Sequence, residues 1–495
     1  MKNYAIAAAA FGVGAVGHTM GHVSSSHPTA TIDGGVIIGT VSSVPGAAIS
    51  VNQFLGIPFA SAPAGTLRFA PPRPTAWSQP LDTTAFKPAC IQVFSPYGTR
   101  NFVQDVFSSP RPDESEDCLY INVFAPNKSC NATAEEPLPV LYWLYGGGLV
   151  FGNAGQPMYD GSHFAALEHV VVVTVNYRTN LFGFPIAPDI KNLTERNLGL
   201  LDQRAGLEWV QHNIRAFGGD PDRVTIFGQS AGSLSVDVLL TSEWPKDDTP
   251  ADKLRYAQEN SISFGTPAGD DKILACDPRL RRETGRFAQV PVIGGSNVDD
   301  GSYYGAKIGP DIDRYFNSVF PNETELKASI LGVYNLNPAE GRVDNCTRLG
   351  QIHTDWNFKC PAVFLSNSST RYVPTYRYLF NATFPNQRLT SLPDLLWPIS
   401  TQGAYHQSEV PIVFSTYDRT GATEEQKALS DTMRSAWARF ARDPGSPPIE
   451  GWEVAGVDGL RVMDFGVDEA GGVKMVTDRT GNCAAWKDFI LRKHL

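Results

Sequence analysis

Ser230 stands at the centre of Gly228-Gln229-Ser230-Ala231-Gly232, between an apolar run at 224–227 and a helical pattern at 233–240. Glycines on either side permit a sharp turn from strand into helix, which lifts the hydroxyl above the sheet in a strained pose suited to nucleophilic attack. With 45 glycines in the chain the pentapeptide alone is weak, and its place between strand and helix is what points to chemistry. A serine hydroxyl needs a base to take its proton, and the base needs a third group to fix its tautomer. On strand-to-helix elbows the chain order is Ser, acid, His, which leaves His353, His406 and His494 as bases. His494 is penultimate, and His353 lies in RLGQIHTDWNFKC, whose helical spacing suits a structural role. His406, in TQGAYHQSEVPIVF, falls in a loop region after a strand and is the expected base. For the acid, Asp299 and Asp300 close VPVIGGSNVDDG just past an apolar strand, the edge where open α/β sheets place their sites, although Asp-Gly also forms plain turns. Ester hydrolysis also needs N–H groups for an oxyanion; Gly146, Gly147 and Gly148 follow another apolar strand, and the Ala231 N–H opens the helix. A base that must be neutral predicts a loss of rate in acid around an apparent pKa of roughly 6 to 7.

These residues need a scaffold, and short apolar runs rich in β-branched and aromatic residues recur at 140–145, 170–177, 224–227, 290–293 and 375–380. Such runs are strands buried on both faces, as in a parallel sheet. Between them Leu207, Val210, Ile214 and Phe217 form one helical stripe that Gly218-Gly219 ends. No long linker, internal repeat or low-complexity block interrupts the alternation, so 18–495 is expected to be one large α/β domain.

The formal charge of −10 and pI near 5.4 argue against nucleic acid as a partner. Met1-Lys2 followed by the apolar stretch 4–16, with Ala15-Val16-Gly17 as cleavage site, reads as a signal peptide over 1–17 and is too short to span a bilayer. Secretion fits with seven sequons, at Asn127, Asn131, Asn192, Asn322, Asn345, Asn367 and Asn381, and with seven cysteines in no zinc-ligand pattern. Neither a metal nor an organic cofactor is expected.

Taken in order, FLGIPFASAPAGTLRFAPP from Phe54, SEDCLYINVFAP from Ser115, YGGG, NLGLLDQRAGLEWVQHNIRAFGGDPDRVTIFGQSAG from Asn197 and WARFARDPG from Trp437 resemble the type-B carboxylesterases, relatives of cholinesterases and fungal lipases, over nearly the whole chain. The resemblance implies an α/β-hydrolase fold and a secreted carboxylic-ester hydrolase, in the fungal carboxylesterase-like branch, acting on small-molecule or lipid esters. It also implies Ser230 as nucleophile, His406 as base, Asp300 as acid, and Gly147, Gly148 and Ala231 as oxyanion donors. Cys90–Cys118 and Cys360–Cys483 resemble the family's disulfides, and Arg68 with Glu116 its structural ion pair, while Cys130, Cys276 and Cys346 stay unassigned.

The chain departs from that pattern in four ways. Asp300 is one methylene shorter than the family's usual glutamate. The segment between Cys90 and Cys118 holds Phe94, Tyr97, Phe102 and Phe107 but no tryptophan to grip quaternary ammonium, and Gln229 replaces the cholinesterase glutamate, so choline esters are poor candidates. Ser230 and Asp300 lie only 70 positions apart, and the family's strand-plus-serine segment after the nucleophile helix has no evident counterpart. The expected consequences are an unpaired gap in the sheet, an inward slide of the 290–293 strand that takes Asp300 out of reach, or a thin replacement by SISF at 261–264. Each implies weak activity, a coding segment missing near 249–253, or the alternative function of a non-catalytic, cholinesterase-like binding protein.

Overall fold

The computed structural model describes residues 27–94, 100–127, 136–185, 190, 192–242, 254–259, 278–336, 344–388, 403–458, 460–466, 473–478 and 482–493. Fourteen strands are described: β1 Thr29–Ile32, β2 Gly35–Ile38, β3 Thr40–Ser43, β4 Ser50–Pro58, β5 Leu81–Asp82, β6 Tyr120–Pro126, β7 Leu138–Leu144, β8 Val171–Val175, β9 Gly219–Gly228, β10 Leu254–Glu259, β11 Val292–Asn297, β12 Thr375–Asn381, β13 Arg461–Gly466 and β14 Lys474–Thr477. β1, β2 and β5 form a small sheet, and the other eleven form a large one in the order β14-β13-β12-β11-β10-β9-β7-β8-β6-β4-β3. From β8 to β13 the neighbours run parallel, with antiparallel strands at both flanks.

The apolar runs become central strands because both faces are covered. Leu141, Trp143 and Tyr145 belong to one core cluster and Val140, Tyr142 and Leu144 to the other, so consecutive residues of β7 alternate between two buried layers. The stripe through Leu207 and Val210 lies on the helix Leu198–Asn213, which tightens into a turn at Ile214–Phe217 and stops at Gly218 with φ 79°. A third cluster, of Tyr315, Phe316, Phe320, Trp486 and Phe489, packs the C-terminal helix Cys483–Lys493 onto the body.

The expected gap beside β9 is not observed. β10 pairs in parallel with β9, Leu254 opposite Val224, and with β11, Tyr256 opposite Val292. The slot is filled by LRYAQE rather than by residues 261–264, which fall outside the described residues, as do 249–253 and the expected leader at 1–17. With β10 in place β11 has no reason to slide inward, and Asp300 stays within reach of the base.

Candidate active site

The turn that carries Ser230 is built by close backbone approach. β9 ends at Gly228, the helix Ala231–Thr241 begins two residues beyond Gln229, and Ser230 between them has φ 57° and ψ −124°, a conformation rare for a residue with a side chain. A Cβ on Gly232 would stand 2.0 Å from the Leu144 carbonyl oxygen, so only glycine lets the helix leave this close to β7. The glycines after β7 meet the same turn, since a Cβ on Gly146 would stand 2.8 Å from the Ser230 Cβ and 2.5 Å from Gln229 Oε1. Gly147 and Gly148 follow with φ 107° and 62°. Ser230 is nearly buried, at 3% exposure.

The loop after β11 and the turn before the helix Val410–Val413 bring Asp300 to His406. Nδ1 of His406 lies 3.0 Å from Asp300 Oδ1, and the other carboxylate oxygen accepts the Asn297 backbone N–H at 2.7 Å. The shorter aspartate thus reaches the imidazole. Gly301 holds that loop down, its N–H donating to Thr354 Oγ1 at 2.8 Å, and a Cβ on it would collide with the Gly350 carbonyl oxygen at 2.3 Å. Asp299 takes a different role: its carboxylate accepts the Ala404 N–H at 3.2 Å and steadies the segment that leads to His406.

Four side chains lie around His406 with little or no signal of that placement in the sequence. The Gln229 side-chain nitrogen lies 3.0 Å from His406 Nε2. Phe358, in a short π-helical segment at Asp355–Lys359, sets its ring 4.7 Å from the imidazole, and Phe107 sits edge-on at 6.3 Å. Glu409, fully buried three residues after His406, accepts a hydrogen bond from Asn297 Nδ2, and its spacing from the base was the one available clue. Burial pushes the Glu409 carboxyl up to about 7, reinforced by the nearby Asp300 charge. Burial likewise holds the Asp300 carboxyl well above the usual range, against the Asn297 N–H that favours its anion. With two donors on Asp300, one negative charge shared by this acidic pair belongs there. Burial among aromatic rings lowers the His406 pKa to about 4, with Glu409 opposing, which moves the expected acid limb below the 6 to 7 of an ordinary imidazole.

The other histidines stand elsewhere. His353 is buried in the helix Asp344–Thr354, stacked on Tyr304 at 3.9 Å, with Nδ1 3.0 Å from the Tyr315 hydroxyl, and His494 lies outside the described residues. Cys90–Cys118 and Cys360–Cys483 are disulfides, Cys346 is a free thiol, and Cys130 and Cys276 fall outside the described residues. Arg68 and Glu116 form a two-bond ion pair at 2.5 and 2.7 Å. Of the sequons, Asn192, Asn322 and Asn381 are exposed, Asn127 and Asn367 half-buried and Asn345 buried, while Asn131 is not described. Among the described residues no helix is long and apolar enough to cross a membrane, and no cluster of acidic, histidine and cysteine side chains could hold a metal.

The sequence profile described as "Carboxylesterase family" matches residues 26–251 and 247–454. The chain is 33% identical to a para-nitrobenzyl esterase of Bacillus subtilis, over 86% of this chain and 91% of that protein. It is 46% identical to a human cocaine esterase, over 86% and 85% of the two chains. It is 31% identical to secreted lipase 5 of Gibberella zeae, over 80% and 82%.

Proposed function

As the chain belongs to the carboxylesterase family, with the α/β-hydrolase fold and carboxylic-ester hydrolysis which that membership implies, we propose that it is a secreted serine esterase or lipase working through Ser230, His406 and Asp300. The observation that carries this reading is the buried His406 Nδ1 to Asp300 Oδ1 contact of 3.0 Å, beside the elbow that bears Ser230. Asp300 keeps the imidazole proton on Nδ1, which leaves Nε2 as the base. His406 takes the hydroxyl proton as Ser230 Oγ attacks the ester carbonyl carbon. The Gly147, Gly148 and Ala231 N–H groups receive the charge that develops on the carbonyl oxygen. The tetrahedral intermediate collapses, the C–O bond to the alcohol breaks, and His406 returns the proton to the leaving oxygen. Water, deprotonated by His406, then attacks the acyl-serine ester, and the carboxylic acid departs with Ser230 restored.

Aromatic side chains around His406, among them Phe107 and Phe358, favour uncharged esters with apolar acyl or alcohol groups over choline esters. The fungal affiliation, the leader at 1–17 with a single domain over 18–495, and glycans at the exposed Asn192, Asn322 and Asn381 complete the proposal. Turnover of p-nitrophenyl acetate and butyrate by the chain secreted from a eukaryotic host tests it. Ser230→Ala, His406→Ala and the double variant should each lose nearly all activity, the double costing little beyond either single, because the two side chains act as one unit. Multiplicative losses would refute the shared role, and an intact rate in Ser230→Ala would refute the nucleophile.

A further inference from the structure

We propose that Gln229 is a positioning residue for the base: in the resting protein its side-chain amide caps the Nε2 lone pair of His406, and acylation of Ser230 requires that amide to let go. The proposal rests on the reading of His406 as base. Its starting point is the imidazole's other nitrogen. Nδ1 lies 3.0 Å from Asp300 Oδ1, and an ionised carboxylate only accepts, so Nδ1 carries the proton and Nε2 presents its lone pair. The group 3.0 Å from Nε2 is the Gln229 amide nitrogen, and N–H to lone pair is the one complementary pairing, since the amide oxygen turned that way would set two acceptors face to face. Oε1 points instead towards Gly146, where a Cβ would stand 2.5 Å from it. At 1% exposure the amide has no free path to bulk water.

Gln229 and Ser230 are therefore consecutive residues competing for one lone pair. The Ser230 hydroxyl makes no hydrogen bond to His406, although the mechanism requires one during attack. A donor on Nε2 stabilises the neutral ring and lowers its basicity. Once the ring takes the Ser230 proton, Nε2 becomes a donor and the same N–H2 group opposes it. A primary amide resolves that conflict by a half-turn about its last bond, which brings Oε1 round to accept. Neither an aliphatic side chain nor a carboxylate can play both parts. Among the described residues the charged and titratable groups facing the imidazole are Asp300 from the loop after β11 and Glu409 from the start of the helix Val410–Val413, with Asp299 behind Asp300. The neighbouring faces carry Phe107 and Phe358, and among the described residues Gln229 alone meets Nε2 with a neutral donor.

The test compares wild type, Gln229→Met and Gln229→Glu in kcat/KM for p-nitrophenyl acetate from acid to neutral pH, together with the rate at which a fluorophosphonate labels Ser230. Methionine has similar length and no N–H, so the acid limb should move upward by about 0.5 to 1 pH unit, the net worth of one neutral hydrogen bond. Glutamate also lacks the donor, and its charge favours the imidazolium, so its limb should lie higher still. Labelling at neutral pH should accelerate in the methionine variant, because no amide has to be displaced. A methionine limb that superimposes on wild type after scaling, or lies at lower pH, would overturn the proposal and leave Gln229 a packing residue beneath Gly146, whatever the glutamate charge does to its own limb. If the methionine variant fails to fold, Gln229→Leu, which also lacks an N–H and a charge, takes its place. A His406→Ala protein with full turnover would instead remove the base assignment itself, whereas an inactive His406→Ala with unmoved limbs would refute only the part given to Gln229.

Discussion

Replacing Asp300 by asparagine removes a charge and one acceptor while keeping the shape, and the structure sets the size of the loss. Asp300 is fully buried and serves two donors, the His406 Nδ1–H at 3.0 Å and the Asn297 N–H at 2.7 Å. An asparagine offers one oxygen for these two hydrogens. If the oxygen stays with Asn297, its N–H2 group faces Nδ1 and drives the imidazole into the tautomer with the proton on Nε2, which cannot accept from Ser230. If the oxygen turns to His406, the buried Asn297 N–H goes without an acceptor at a cost of about 1 to 3 kcal/mol. The first arrangement is the cheaper one, because the Gln229 amide can turn its oxygen to the new Nε2–H. A base locked in the wrong tautomer costs on the order of 10⁴-fold in kcat, equivalent to about 5.5 kcal/mol. Asp299→Asn should cost less than about tenfold, since its contact with the Ala404 N–H, at 3.2 Å, survives on the amide oxygen. Asp300→Glu keeps the charge but adds a methylene to a filled site, at about 1 to 3 kcal/mol, and should fall between the two. The assay is kcat/KM for p-nitrophenyl acetate, with circular dichroism to establish folding. An Asp300→Asn enzyme within tenfold of wild type, or an Asp299→Asn enzyme that is the worse of the two, would mean that Asp300 does not fix the imidazole tautomer.

The acid limb of kcat/KM should lie below the ordinary imidazole value of 6.5, because burial favours the neutral His406 that accepts the proton, so activity persists into mildly acidic buffer; a limb at or above 6.5 would contradict the burial argument. Glu409→Gln keeps the shape and, because burial and the Asp300 charge keep Glu409 protonated below about 7, should leave that limb within about 0.5 pH unit of wild type; a larger downward shift would place the pair's negative charge on Glu409 instead. Cys483→Ala opens the bridge to Cys360 that closes a loop of 123 residues and should lower stability by about 2 to 4 kcal/mol in denaturant titration, with little change in the esterase rate of the folded protein. Gly232→Ala should yield inactive or unfolded protein, since its Cβ would stand 2.0 Å from the Leu144 carbonyl oxygen, and normal activity would exclude the tight elbow.

The parts of the site legible in the sequence were those carried by local pattern. The elbow around Ser230, the glycines after β7 and the Asp-Asp pair after β11 each lie at the end of a continuous apolar run, and such runs are readable because both faces of the sheet are covered. β10 was missed for the complementary reason. LRYAQE holds an arginine, a glutamine and a glutamate among six residues, so it lacks the apolar continuity of its neighbours and is identified only by its pairing with β9 and β11. The reach of Asp300 was open for a similar reason: a missing methylene can be judged only against the loop that carries it, and Gly301 draws that loop onto the helix Asp344–Thr354. The Gln229 contact with His406 joins residues 177 positions apart, and no spacing rule reaches that far. The turn that sets Phe358 against the imidazole is a π-helical insertion between two ordinary helices, for which composition offers no mark.

If Ser230 is the nucleophile, this 495-residue chain, with its short passage from Ser230 to Asp300, forms an acyl-enzyme on Ser230. Rapid mixing with a p-nitrophenyl ester, followed by acid quench and peptide mass analysis, tests it most directly. The expected result is a burst approaching one equivalent of p-nitrophenol per chain and an acyl group on the peptide containing Ser230, both absent in Ser230→Ala. A folded wild-type protein with neither burst nor adduct and no steady turnover, or one whose acyl group sits on another residue, would contradict it.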